Sequence, residues 1–445
     1  TDRLVIANEG DYEGGARGFT IFDRTGKVLY EAGPSLEHEV ARLGHFPDKR
    51  AKSKGIEPEG MVAAVFDGQQ YFFVLAERAS VVAVYKDTGA EPELVQLLPS
   101  GISPEGAVAI PGRNLLATAN EADLGEDGGA RSHVMIYELA EGEKAYPTIV
   151  SKDVDGQPLG WGALSGLVGD AEKNGILYAV SDSVYAMQPS IFTVDATKKP
   201  AEITEVLRVT RGGQPAQKLD IEGVALDGKG GFWLATEGDP AKLVGHGIYN
   251  VDAKGEIKSE IGFPVELLAG QTRFGLEGIT SVGEGDDLTL WMAVQREWKD
   301  DEKGTVKLLS YNPKSKEWGA VRYPLEKTEE GWVGLSEITA YGDHLYIVER
   351  DNLIGDKAKL KKLYRVAVAD LKPAKLGETL PLVAKEEVHD FIPDLKAATN
   401  GYVVDKLEGF AFDAEGKAYA VTDNDGVDDS SGEALFFPVE LKLTN

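Results

Sequence analysis

The sequence predicts an all-β propeller of four-stranded antiparallel blades, and three observations carry that prediction. The first is a recurring phrase in which an apolar residue or proline precedes Glu-Gly and the start of a strand. It reads Pro58-Glu59-Gly60, Pro104-Glu105-Gly106, Ile221-Glu222-Gly223, Leu276-Glu277-Gly278 and Leu407-Glu408-Gly409, with degenerate copies at Leu164-Ser165-Gly166 and Leu335-Ser336-Glu337. The second is spacing: successive copies start 46 to 72 residues apart, the period of propeller blades and not of helical repeats. The third is an apolar strand after every copy that ends in polar residues. These strands are Tyr71 to Ala76, Leu115 to Ala119, Leu177 to Val180, Phe232 to Thr236, Leu290 to Val294, Leu345 to Val348 and Ala418 to Thr422. Paired as a hairpin, the start of one strand and the end of the next share one end of a blade. The polar groups therefore collect on one face, around the central axis.

In chain order, residues 1 to 33 supply the last three strands of a blade, Leu4 to Ala7, Gly18 to Asp23 and Lys27 to Ala32. Pro34 to Glu57 breaks the rhythm and is expected to be a long loop arriving on the polar face, with His38, His45, Asp48, Lys49 and Arg50. Third strands follow at Val81 to Tyr85, Val134 to Tyr137, Ile191 to Val194, Ile248 to Val251, Leu308 to Tyr311 and Leu363 to Val366, each stopping at turn-forming residues. Fourth strands such as Leu94 to Leu98, Ile203 to Val209 and Ile257 to Phe263 are more polar, as blade edges should be. The last blade, 408 to 445, stops after its third strand at Leu435 to Val439. Surplus strands at the N-terminus and a deficit at the C-terminus predict closure by strand exchange. Residues 1 to 445 are read as one propeller domain of seven blades, with six or eight left open.

The net charge of −27 opposes nucleic acid and anionic lipid and suits divalent cations. The absence of cysteine excludes disulfides, thiol nucleophiles and zinc-thiolate sites. No run of 18 apolar residues exists, so no membrane-inserted helix is expected. The six histidines do not recur at one blade position and no Gly-x-Ser-x-Gly elbow appears, which argues against a nucleophilic triad.

A ring of carboxylates at strand ends is costly unless cations neutralise it, because like charges raise one another's pKa. Calcium takes six to eight hard oxygen ligands in loose geometry, and this face offers carboxylates, amides and loop carbonyls. The expected metal ligands are Glu59, Glu105, Glu222, Glu237, Glu277, Glu408, Asp423 and Asp425. The last two open the densest acidic stretch, Asp423 to Glu433, with five carboxylates in eleven residues and a spacing unlike an EF-hand. The alternative reading of the Glu-Gly phrase is architectural, each Glu capping amides of the next blade and each Gly allowing a close turn. Arg78, Arg296 and Arg350 sit at equivalent strand ends and are candidate phosphate-binding groups, or salt-bridge partners of Glu77, Glu297 and Glu349. Glu222, Glu277, Arg296 and Arg350 are the candidates for catalysis.

At these residues the chain resembles a known family. Asp220-Ile221-Glu222-Gly223-Val224-Ala225, Gly231-Phe232-Trp233-Leu234-Ala235-Thr236-Glu237 and Leu407-Glu408-Gly409-Phe410 with Val421-Thr422-Asp423-Asn424-Asp425-Gly426 are similar to the bacterial family called esterase-like activity of phytase. Ala7-Asn8-Glu9-Gly10-Asp11 and Gly55-Ile56-Glu57-Pro58-Glu59-Gly60 resemble the propeller of choice-of-anchor surface proteins and their alkaline-phosphatase-like relatives, in which further sequence precedes the first phrase. The resemblance implies an exported propeller, periplasmic or secreted with its signal removed, that binds calcium and hydrolyses phosphate monoesters; a monomer is expected. Two other readings stay open: a lactonase or esterase using one axial metal, and a non-catalytic binding propeller with structural calcium.

Overall fold

The structure, a computed structural model, describes residues 2–10, 14–185, 187–427 and 429–442. Asp11 and Asp428, which belong to the polar stretches read above, lie outside the described residues. Each recurring phrase opens a strand: Pro58–Phe66, Pro104–Ile110, Leu164–Gly169, Asp220–Leu226, Leu276–Val282, Val333–Tyr341 and Leu407–Phe412. Each of these lies at one edge of its sheet, is called here its first strand, and pairs antiparallel with the next strand in the chain; in the sheet of Leu164–Gly169 the opposite edge is the earlier strand Ile149–Ser151.

In all seven pairs the register slips at one place, inside the phrase, as between Ile221 and Gly223 or Leu276 and Gly278. The residue left without a cross-strand partner is Glu59, Glu105, Ser165, Glu222, Glu277, Ser336 or Glu408. A bulge of this kind inserts one unpaired residue and re-aims its side chain. The glycine that follows has a separate cause. A Cβ on Gly223 would lie 2.6 Å from the Cα of Gly278, so two first strands approach too closely for any side chain between them.

The chain divides into two compact units, Thr1–Ala163 with Asn424–Ala434, and Leu164–Asp423 with Leu435–Asn445. The second unit contains five sheets. Their first strands pack in a closed cycle: Leu164–Gly169 against Asp220–Leu226, that against Leu276–Val282, then Val333–Tyr341, then Leu407–Phe412, which returns to Leu164–Gly169. The core lies between neighbouring sheets, as where Trp233, Ile248 and Ile279 meet Met292 and Leu309, and where Val306 and Val321 meet Ile338 and Ile347.

At the degenerate copy Ser336-Glu337, an acid stands where the other copies have glycine. Its carboxylate turns into the ring and accepts hydrogen bonds from the backbone N–H of Leu167 (3.0 Å) and of Ile338 (2.9 Å). Glu337 is thus an architectural carboxylate that ties two first strands together. Burial pushes its carboxyl well above the usual range, opposed by the amides of Leu167, Ile338 and Phe410.

The first unit contains three larger sheets. Arg3–Ala7, Phe19–Asp23 and Val28–Glu31 form one; Pro58–Phe66, Gln69–Ala76, Val81–Lys86 and Glu93–Pro99 the next; Pro104–Ile110, Leu115–Asn120 and His133–Glu138 the third. Two expectations need correction. The N-terminal strands pair with one another, Arg3 opposite Asp23 and Thr20 opposite Glu31, and do not complete the last sheet, which has three strands, Leu407–Phe412, Ala418–Thr422 and Phe436–Val439. Local hairpins close short loops and so cost less chain entropy than a pairing across the whole sequence. The segment from Pro34 to Glu57 is not all loop, because Ser35–Arg42 is a helix that buries Leu36 and Val40, one turn apart on one face. Among the described residues no helix is long and apolar enough to cross a membrane.

Candidate active site at one mouth of the five-sheet ring

The bulges place their side chains next to the ends of the second strands, as hairpin geometry requires. Asp220, which precedes the phrase, is directly opposite Glu237. Glu277 accepts a hydrogen bond from the Gln295 side-chain amide at 2.7 Å, and Glu237 accepts one from the Gly275 N–H at 2.8 Å. Glu222 has Glu277, Asp220, Asp182 and Glu237 as its charged neighbours, and burial followed by these carboxylates pushes its carboxyl well above the usual range. Burial and then Glu237 and Glu408 do the same to Glu277, while burial and then Asp423 do so to Asp182. Glu237 is pushed up to about 7, by burial first. Asp423 is held by the Lys406 ammonium at 2.9 Å.

Cations border this cluster. Arg350 is buried and fully engaged: it donates to Ser336 Oγ at 2.8 Å, pairs with Asp405 at 3.1 Å, and pairs with Glu408. Burial opposes its charge, but Glu408, Asp405 and Glu277 outweigh burial and raise its pKa. Arg296 is different. Its guanidinium lies 4.2 Å from the Phe274 ring centroid and 4.6 Å from that of Trp332, and Arg273 lies 4.7 Å from Phe274. Among the described residues neither Arg296 nor Arg273 has a salt-bridge partner. Burial and then the Arg273 charge lower the Arg296 pKa. Glu297 is a charged neighbour of Arg296 and Glu237 of Arg273, but neither guanidinium is in an ion pair, and both rest on aromatic faces in a geometry that can receive an anion.

Several buried oxygens at the mouth have no hydrogen-bond partner among the described residues: Ser181 Oγ, Asp220 Oδ1, Gln295 Oε1 and Glu408 Oε2. Buried polar atoms are normally satisfied, so orphaned oxygens clustered with excess carboxylate call for a cation. The donor set is all hard oxygen, which fits calcium.

A family model described as esterase-like activity of phytase matches residues 159–426, more than half of the chain. The chain belongs to the esterase-like activity of phytase family. A second model, the choice-of-anchor I domain, matches residues 8–90. No curated protein matches the sequence. Among solved structures, hydrazine synthase of Kuenenia stuttgartiensis is similar at 12% identity over 84% of this chain and 93% of that one, with a TM-score of 0.32. A luciferin-regenerating enzyme is similar at 12% identity over 74% and 86%, with a TM-score of 0.31. At these scores neither likeness bears on the activity of this chain.

The phytase-like match coincides with the five-sheet unit, and that unit contains Glu222, Glu237, Glu277, Glu408, Asp423, Arg296 and Arg350 of the sequence-derived candidates. The others fall in the first unit. Glu59 and Glu105 occupy bulges there and are exposed. Arg78 lies between Glu57 at 3.3 Å and Glu77 at 3.0 Å, so its fork is committed to carboxylates. Asp425 is exposed with φ +52°, beside Asn424, whose side chain accepts from the Ala163 N–H and donates to the Gly44 carbonyl, both at 2.8 Å. That acidic stretch is shaped by Asn424 as a structural hub. Sequence reading gave no role to Asp182, Asp220, Arg273, Trp332, Asp405 and Lys406. For Asp220, Asp405 and Lys406 a signal existed, since they stand one or two residues before a recurring phrase.

Proposed function

We propose that the five-sheet unit is a calcium-dependent phosphomonoesterase. The observation that carries this reading is the juxtaposition at one mouth of buried and half-buried, under-neutralised carboxylates with orphaned oxygens and two arginines that form no ion pair. Asp182, Asp220, Glu222, Glu277 and Asp423 are the residues to hold calcium, which when bound neutralises the cluster and supplies Lewis acidity toward phosphate oxygens. Arg296, fixed between Phe274 and Trp332, and Arg273 beside it bind and orient the non-bridging phosphate oxygens. Glu237, with its carboxyl near neutrality, holds a proton that the departing alkoxide requires. Arg350 positions Glu408 and does not grip substrate, because its donors are already taken.

The test is metal content together with turnover of 4-nitrophenyl phosphate in calcium and in EGTA. Calcium-saturated protein that opens a lactone but leaves the phosphate ester intact would move the assignment to the lactonase reading. Calcium bound with neither activity would make the unit a binding ring. The choice-of-anchor likeness at 8–90 supports a location outside the cytoplasm, which fractionation of the native host checks.

A further inference from the structure

The three sheets of the first unit form an open row. The middle sheet is covered on both faces: Phe19 of the first sheet packs 5.1 Å from Phe72 and 4.7 Å from Tyr85, while Phe73, Leu75 and Val82 meet Leu116 of the third. The end sheets are covered on one face alone. On the outer face of the first, Leu4, Ile6 and Val28 are 50 to 60% exposed, and on that of the third, Val108, Val134 and Ile136 are 54 to 66% exposed. Alternating exposed valines and isoleucines are what a sheet carries when another sheet packs on it.

The recurring phrase gives an independent sign. A Cβ on Gly60 would fall 2.0 Å from the carbonyl oxygen of Glu105, because the next first strand is pressed against it. Gly106 occupies the same place in the third sheet, yet the one atom within 4 Å of its added Cβ is Ala119 Cβ, of its own hairpin, at 3.7 Å. The seam that the phrase makes elsewhere is present at Gly106 with nothing docked on it.

We infer that the outer face of the third sheet docks the outer face of the first sheet of a second copy of this chain. The middle sheet separates the two open faces of one copy, so they cannot meet each other. Two copies related head to tail satisfy both faces twice over, and three sheets from each make six, within the four to eight that propeller rings contain. On this inference a symmetric dimer, joined through the sheet faces of the first unit, takes the place of the monomer expected from the sequence.

Light scattering coupled to size exclusion tests this on the full chain. Wild-type protein should run as a dimer. Leu4→Lys and Ile136→Lys should each weaken association by at least about tenfold, since a buried ammonium is costly in an apolar seam, while far-ultraviolet circular dichroism and melting of the folded monomer stay unchanged. Val134→Thr is the milder variant should Ile136→Lys fold poorly, and Leu243→Lys, at an isolated exposed leucine of the other unit, should remain dimeric. A wild-type monomer at about 50 µM, well above a micromolar dissociation constant, overturns the inference, as does a dimer that survives either charged substitution.

Discussion

His45 is fully buried, with Nδ1 2.9 Å from the Ala79 carbonyl oxygen and Nε2 against the Tyr146 hydroxyl, and burial pushes its imidazole down to about 4. In the unfolded chain the same ring titrates near 6.5. Below pH 6.5 the unfolded state therefore takes up a proton that the native state refuses, and stability falls until about pH 4, by roughly 3 kcal/mol in all. Denaturant midpoints at pH 7, 5 and 4 should show this loss, and His45→Gln should remove its share; equal slopes for both proteins would refute the buried neutral imidazole. At the mouth of the ring, Asp423→Asn should weaken calcium binding, whereas Arg296→Ala should raise KM for phosphate esters and leave metal content intact. Charge-assisted contacts are worth roughly 1.5 to 3 kcal/mol, about tenfold to a hundredfold in affinity. Calorimetry and steady-state kinetics on the two variants separate the roles; a joint loss of both properties would argue that Arg296 supports the metal cluster instead.

The first strands behave as one element repeated seven times. Each has its bulge at the acid or serine, and the following residue is glycine except at Glu337. The bulge explains why the acids of the five-sheet unit face its mouth, and close approach explains glycines such as Gly60 and Gly223, so two causes lie behind a two-residue phrase. Gly223→Ala would push a methyl to within 2.6 Å of Gly278 Cα. Overpacking of this kind costs typically 1 to 3 kcal/mol, and here backbone has to move on both sides. In the dissociated chain at low concentration the thermal midpoint should drop clearly more than for Gly106→Ala, whose added methyl there meets its neighbour at an ordinary 3.7 Å. Similar losses at both positions would mean that the glycines are needed for backbone conformation and not for approach.

For the molecule as a whole, the net charge of −27 and the carboxylates gathered at the mouth lead us to expect that cations stabilise the fold. A ligand that binds the native state alone stabilises it by about 2.7 kcal/mol at a hundredfold excess over its dissociation constant. Chelation by EGTA should lower the melting temperature of metal-loaded protein, and calcium should restore it. An unchanged curve would leave the clustered acids to be stabilised by protonation, and the transition would then move upward as the pH falls.

The sequence by itself determined the strands and the polar ends they share, because alternation, turn residues and the Glu-Gly phrase are local signals acting over a few residues. Phe232 to Thr236 and Ala418 to Thr422 were legible to within one residue for that reason. It also determined that Glu222, Glu237, Glu277, Glu408 and Asp423 would gather, since one bulge and one hairpin place each of them. The tertiary structure alone decided which first strands close on one another, since that depends on packing between sheets far apart in the chain. It also decided that Arg350 is consumed by Glu408 and Asp405 while Arg273 and Arg296 are left to Phe274 and Trp332. Ion-pair partners are chosen by distance in space, and no spacing along the chain encodes that choice.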